Sequence, residues 1–114
     1  MLYTTFTVND KEYKLRLAAK EAVNLEKKLQ ANPLNLIVAV GQKNEIPELS
    51  VLLEILYASM THFQHGITLA DVYDIYDEFC DEGNTIIDLI PIILDVFKVS
   101  GFFKAEAEET EEKN

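Results

Sequence analysis

The first seventeen residues alternate between hydrophobic and polar positions, the pattern of a β-strand with one buried face. The positions predicted to share that face are Leu2, Thr4, Phe6 and Val8 on the first segment, and Tyr13, Leu15 and Leu17 on the second. Between the segments lie Asn9, Asp10 and Lys11, and Asn and Asp both tolerate the backbone angles of tight turns. The sequence therefore predicts a β-hairpin, with either a two-residue or a three-residue loop.

After residue 17 the hydrophobic period becomes helical. It predicts a helix over residues 18–30 and a second over residues 34–40, with Asn32-Pro33 at its start and Gly41 closing it. A third helix is predicted from Ile46-Pro47 to about Gln64, with Gly66 as its stop.

Two further helices are predicted after Gly66. Thr68 and Asp71 have the spacing of a capping box, which predicts a helix over residues 69–82. The last helix is expected over about residues 84–100, with a kink at Pro91 and Gly101 after its end.

These elements predict a mainly α fold of the α+β class, with an N-terminal β-hairpin followed by about five helices in one compact domain, residues 1–103. A chain of 114 residues has the size of one such domain. From Lys104 onward the sequence KAEAEETEEKN contains no aromatic or branched aliphatic residue. Residues 104–114 are therefore expected to form a disordered acidic tail.

Charge is distributed unevenly along the chain. The formal net charge is −10, and residues 44–97 contain eleven acidic residues but no Lys or Arg. Such a surface repels phosphate, so we expect neither nucleic acid nor an anionic membrane as a partner, but a basic or apolar protein. The most apolar stretch, residues 85–97, is too short to span a membrane. With a single Cys80 and no export signal at the N-terminus, the cytoplasm is the expected location.

The sequence offers little material for catalysis or metal binding. His62 and His65 stand three residues apart, but a third ligand with suitable spacing is missing. The acids of residues 69–82 recur at helical spacing, unlike the alternate ligands of a calcium-binding loop. Acidic neighbours around Cys80 disfavour its thiolate. We therefore expect no enzyme activity, cofactor or metal.

Two groups of residues are candidates for binding a protein partner. Residues 86–103 contain more large apolar side chains than one buried stripe can hold, and residues 69–82 place acids on an exposed face. The candidates are Ile93, Val96, Phe97, Phe102 and Phe103 in the first group and Asp71, Asp74, Asp81 and Glu82 in the second. The apolar surplus is equally explained by a last helix at the centre of the core, or by its burial in a homo-oligomer.

Three runs of sequence resemble a known family. KLRLAAKEAVNLEKKLQANPLNLI, HGITLADVYDIYDEF and FKVSGFF are similar to the tail assembly chaperones of siphophages and prophages of Gram-positive bacteria. The resemblance implies a protein that binds the phage tape measure protein, keeps it soluble and helps recruit tail tube protein. It also implies that proteins of this kind are often made in two lengths by programmed ribosomal frameshifting. Two segments of this sequence could be encoded by codons that allow such a slip, Gly101 to Phe103 and Glu112 to Asn114.

An alternative to the chaperone is an acidic inhibitor that imitates the charge of DNA, in which the acids of residues 69–82 would take the place of DNA phosphates. Another small protein-binding module is a second alternative. Co-purification separates the two main hypotheses. A chaperone should retain a tape measure fragment, whereas a DNA mimic should retain a nuclease or a DNA-binding protein.

Overall fold

Two antiparallel strands followed by five helices make up residues 1–103, the part of the chain that the computed structural model describes. The elements are β1 (Thr4–Val8), β2 (Lys11–Leu15), α1 (Ala19–Leu29), α2 (Pro33–Gln42), α3 (Leu49–Thr61), α4 (Leu69–Asp81) and α5 (Ile86–Val99). This order confirms the predicted mainly α fold with an N-terminal hairpin. The predicted tail, residues 104–114, lies outside the described residues.

The hairpin closes with a two-residue turn at Asn9 and Asp10. Both residues have positive φ angles, 54° and 63°, as a type I′ turn requires. The strands pair so that Phe6 lies opposite Tyr13, and both side chains are buried against the helices. The expectation for Leu2 is wrong, because its side chain is 70% exposed. Leu2 precedes the paired part of β1, so no cross-strand neighbour covers it.

Helix α3 lies at the centre of the core and contacts all four other helices. Its contacts with α1, α4 and α5 are more extensive than those with α2. Its side chains Leu52, Ile55, Leu56 and Met60 are fully buried. Helix α5 packs against both α3 and β1. A helix that is apolar over most of its surface must be buried on several sides, which explains the composition of both α3 and α5.

The predicted helix ends are confirmed in some places and wrong in others. Thr68 and Asp71 form the predicted capping box, because the Asp71 N–H donates to Thr68 Oγ1 and the Thr68 N–H donates to the Asp71 carboxylate. Gly41 does not close α2, which runs on to Gln42. Asn44, at φ 60°, adopts the left-handed conformation after the helix instead. Helix α3 begins at Leu49, later than the predicted Ile46-Pro47.

Helix α5 continues across Pro91 to Val99 and is followed by Gly101 at φ +86°, as its predicted end requires. The hairpin is joined to the helices by side-chain hydrogen bonds. Gln64, just after α3, bonds both the N–H and the C=O of Lys14, and Ser100, after α5, accepts from the Leu17 N–H. Within residues 1–103 no helix combines the length and apolar character needed to cross a membrane.

Candidate functional site

The apolar candidates of α5 belong to the core rather than to a binding surface. Ile93, Val96 and Phe97 are fully buried, so the structure presents none of these three side chains to a partner. They are buried because α5 packs against both α3 and β1. Phe102 and Phe103 are half-buried against the same core, and the Phe102 ring lies edge-on to Phe97 with 4.9 Å between the ring centroids.

The acidic candidates are all exposed, but two of them have intramolecular roles. Asp71 accepts the Thr68 N–H in the capping box of α4. Glu82 accepts the Asn9 N–H at 2.6 Å and so holds the turn of the hairpin against the end of α4. Asp74 and Asp81 lie on the solvent side of the same helix. These two are therefore the predicted acids best placed for a partner.

An apolar groove lies between the start of α3 and one side of α4. Its volume is about 330 Å³, and it is lined by Leu49, Ser50, Leu53, Tyr73, Tyr76 and Asp77. Leu49 is 36% exposed and Tyr73 is 47% exposed, although both are large and apolar. Large apolar side chains that stay in contact with water around a concave surface are typical of a binding site.

The charged residue that lines this apolar groove is an acid. Asp77 lies on its wall, and Glu45 and Glu48 lie in the segment that leads into α3. Residues 44–97, which supply all of the groove, contain no Lys or Arg. Ile46, also in the leading segment, adds a further exposed apolar side chain. A complementary ligand would thus combine apolar side chains with flanking basic ones.

On the other side of α4 lies a larger polar hollow, which we name the acidic cleft. It has a volume of about 470 Å³, and its lining residues are Lys11, Tyr13, Gln64, His65, Gly66, Ile67, Asp71, Asp74, Ile75 and Glu78. The pKa of Tyr13 is raised, first by burial and then by the negative charges of Glu78 and Asp71. Three acids, Asp71, Asp74 and Glu78, line this cleft together with one basic residue, Lys11, and this balance of charge favours a cationic group of a ligand.

Within residues 1–103 no group of three His, Cys, Asp or Glu side chains is placed to hold a metal ion. His62 Nδ1 instead lies 3.5 Å from Glu21 Oε1, and a ring nitrogen of His65 lies 3.1 Å from the His62 carbonyl oxygen. Cys80 is half-buried. The histidines act as polar groups at the end of α3.

Sequence reasoning missed the groove itself. The helical pattern of the sequence places Leu49 and Leu53 on the apolar face of α3 and Tyr76 on the apolar stripe of α4, where each is expected to be buried. One signal was present: Tyr73 lies outside that stripe, between Asp71 and Asp74. An aromatic residue on the acidic face of an amphipathic helix points away from the core, so it indicates a binding contact on the protein surface.

Fold and surface together define a small α+β protein whose fourth helix separates an exposed apolar groove from an acidic cleft. The chain belongs to the family described as "Family of unknown function (DUF6096)", whose model matches residues 2–114. Comparison with curated proteins and with solved structures gave no match.

Proposed function

We propose that this protein is a carrier that binds an amphipathic helical segment of another protein. The observation that carries the proposal is the apolar groove, which is formed by Leu49, Leu53, Tyr73 and Tyr76 and has the acid Asp77 in its wall. Helices commonly bind by laying an apolar face into such a groove, with anchor residues one turn apart. Basic residues beside those anchors would meet Asp77, Glu45 and Glu48.

The partner that we propose is the tape measure protein of a long-tailed phage, bound in the cytoplasm of the bacterial host. The resemblance of three sequence runs to tail assembly chaperones supports this choice. A tape measure protein is a long helical chain, and its apolar stripes are exposed to water until the tail tube encloses them. The carrier covers these stripes, acts by binding alone, and presents the bound chain to tail tube protein.

The two sides of α4 would have different tasks in this complex. The groove removes apolar surface from water, which supplies affinity and therefore a slow dissociation. Asp74 and Asp81, together with the acidic cleft, attract the basic flanks of the segment and raise the association rate. An exterior with a net charge of −10 keeps the complex soluble while much of the partner is still uncovered.

Calorimetry with the purified full chain tests the groove. The probes are overlapping helical fragments of the tape measure protein that the proposal requires in the same genome. They are titrated into the wild type and into a double variant, Leu49→Ser with Tyr73→Ser. Val23→Ser is the matched control, since Val23 on α1 is similarly exposed and lies outside the groove. We expect the double variant to weaken binding at least about tenfold, the effect of removing two anchor residues. Equal weakening in the control, or no binding by any fragment, refutes the proposal.

Stopped-flow association at increasing salt tests the acids. Asp74→Asn with Asp81→Asn should slow association at low salt and flatten its salt dependence. Glu12→Gln with Glu26→Gln changes the net charge equally, but both residues lie outside α4 and should matter less. If both pairs have the same effect, only net charge contributes, and the acids of α4 have no specific role.

The acidic face of α4 also supports a second candidate, an inhibitor that imitates the charge of DNA. Asp74, Asp77, Glu78 and Asp81 are all exposed on that helix. This candidate requires that a DNA-binding protein be captured through the acids and released by DNA. Tyr73→Ser would leave such capture unchanged, whereas it should weaken capture of a tape measure segment.

A further inference from the structure

The outer edges of the two hairpin strands differ in the hydrogen bonds that their backbone groups make to the rest of the molecule. On β2, the N–H and C=O of Lys14 both bond the Gln64 side chain, and the Arg16 N–H donates to the Ser59 carbonyl oxygen. The outward backbone groups of Lys14, and the N–H of Arg16 just after β2, thus have partners at the end of α3 and in the turn after it. Within residues 1–103, no group outside the hairpin hydrogen-bonds the backbone of Thr5 or Thr7 on β1.

The strand register shows which groups of β1 point outward. Thr5 lies opposite Lys14, and the backbone groups of Lys14 point away from β1 toward Gln64. Thr5 and Lys14 therefore form a pair without hydrogen bonds between them, and the backbone of Thr5 points to the opposite side. Because this direction alternates along a strand, Thr7 and Tyr3 share it. Asn9 does too, but its N–H is already taken by Glu82.

An open edge therefore runs from Tyr3 to Thr7. Thr5 and Thr7 are exposed, and a hollow of about 230 Å³ lies between the Leu2–Thr4 end of this edge and α5. Natural edge strands are normally protected by charged residues, proline or a bulge. Residues 1–8 contain none of these, since no charged residue and no proline occurs among them and the register is regular.

We propose that this edge is an interface between two copies of the chain, formed by antiparallel pairing of their β1 strands about Thr5. The open stretch is symmetric about Thr5, so a second copy fills it completely: Thr5 lies opposite Thr5, and Tyr3 opposite Thr7. Each of these pairs can exchange both of its N–H···O bonds. The two hairpins then form one four-stranded sheet, in which Thr–Thr pairs across the joint are favourable.

Charge selects a second copy as the occupant. Two chains of net charge −10 repel each other wherever their acids face. Residues 1–8 carry no charged side chain, so two β1 strands can pair without placing like charges opposite one another. The residues that line the groove and the acidic cleft lie outside β1, so the interface does not depend on the proposed function.

Sedimentation equilibrium and hydrogen exchange of the full chain test the interface. At about 100 μM the wild type should sediment with twice the mass of its 13.0 kDa chain, since a dimer with a Kd near 10 μM is then mostly associated. The amides of Thr5 and Thr7 should exchange slowly at that concentration and fast on dilution. A monomer, or a dimer in which these two amides stay unprotected, overturns the proposal.

Charge substitutions at Thr5 locate the symmetry axis. Thr5→Lys and Thr5→Glu each place like charges opposite one another, and each should raise the dimer Kd about fivefold or more. An equal mixture of the two variants should form mixed dimers, detected by native mass spectrometry. Glu12→Gln, which changes net charge as Thr5→Lys does but lies on β2, should leave the Kd unchanged. Dimers unaffected at Thr5, or mixed pairs no stronger than the single variants, contradict pairing about this residue.

Discussion

Arg16 and Val99 connect the two ends of the described chain: the Arg16 guanidinium Nη1 lies 2.6 Å from the Val99 carbonyl oxygen. The same nitrogen lies 3.1 Å from the carbonyl oxygen of Leu2. Val99 is the last residue of α5, where helix carbonyls lack partners and the helix dipole is negative. One cation thus satisfies the end of α5 and holds it to the hairpin.

Replacing Arg16 should weaken this connection. Arg16→Ala leaves the Val99 carbonyl group without its charged donor, so we expect the free energy of unfolding to fall by about 1.5–3 kcal/mol. Urea denaturation followed by circular dichroism measures the change. Lys20→Ala, at an exposed position of α1, is the control and should cost less than about 0.5 kcal/mol. A cost for Arg16→Ala no larger than that of the control would mean that the contact is not stabilising.

Phe97 is expected to matter for folding rather than for binding. Its ring is fully buried in the core, so Phe97→Ala should destabilise the protein by about 3–5 kcal/mol. Ile87→Ala on the exposed side of α5 should have a small effect. Thermal and urea unfolding of both variants provide the comparison. Native stability in Phe97→Ala would restore the hypothesis that α5 presents its apolar face to a partner.

Gln64 protects the outer edge of β2. Gln64→Ala removes both of its bonds to Lys14, and the Lys14 amide should then exchange its hydrogen faster. Gln64→Glu keeps an acceptor for the Lys14 N–H but loses the donor to its C=O, so the amide should remain partly protected. Hydrogen exchange measured by NMR reads this amide directly. Identical protection in all three proteins would show that another group bonds this edge in solution.

The phenol of Tyr76 should make the protein sensitive to alkali. Burial, with smaller contributions from a hydrogen bond to Cys80 and the negative charge of Asp77, raises its pKa to about 12. An unfolded chain ionises this tyrosine near pH 10, before the native protein does. Its contribution to stability is therefore complete below pH 10 and is lost as the pH rises from 10 toward 12.

Tyr76→Phe tests this dependence, because phenylalanine cannot ionise in either state. Urea unfolding at several pH values between 8 and 11 should show a shallower loss of stability in the variant than in the wild type. The other groups that titrate in this range are common to both proteins. Parallel curves would mean that Tyr76 ionises equally in the native and the unfolded state.

Local chemistry made several elements predictable. Asn9 and Asp10 suit a tight turn, and Thr68 and Asp71 cap α4 within three residues of each other, so neighbouring residues alone decide these features. Gly41 shows the limit of this reasoning. A glycine can end a helix but does not have to, and the left-handed residue that follows α2 is Asn44.

By itself the sequence determined the order of the strands and helices, the buried face of the hairpin and the acidic character of α4, because these depend on spacing within a few residues. Only the tertiary structure decided that Ile93, Val96 and Phe97 are covered while Tyr73 and Leu49 remain exposed beside each other. A helical pattern shows which apolar side chains must be shielded from water, but it does not show which other element packs over them. For α5 that cover comes from α3 and β1, which are distant in the chain, and the groove exists only because α3 and α4 pack together.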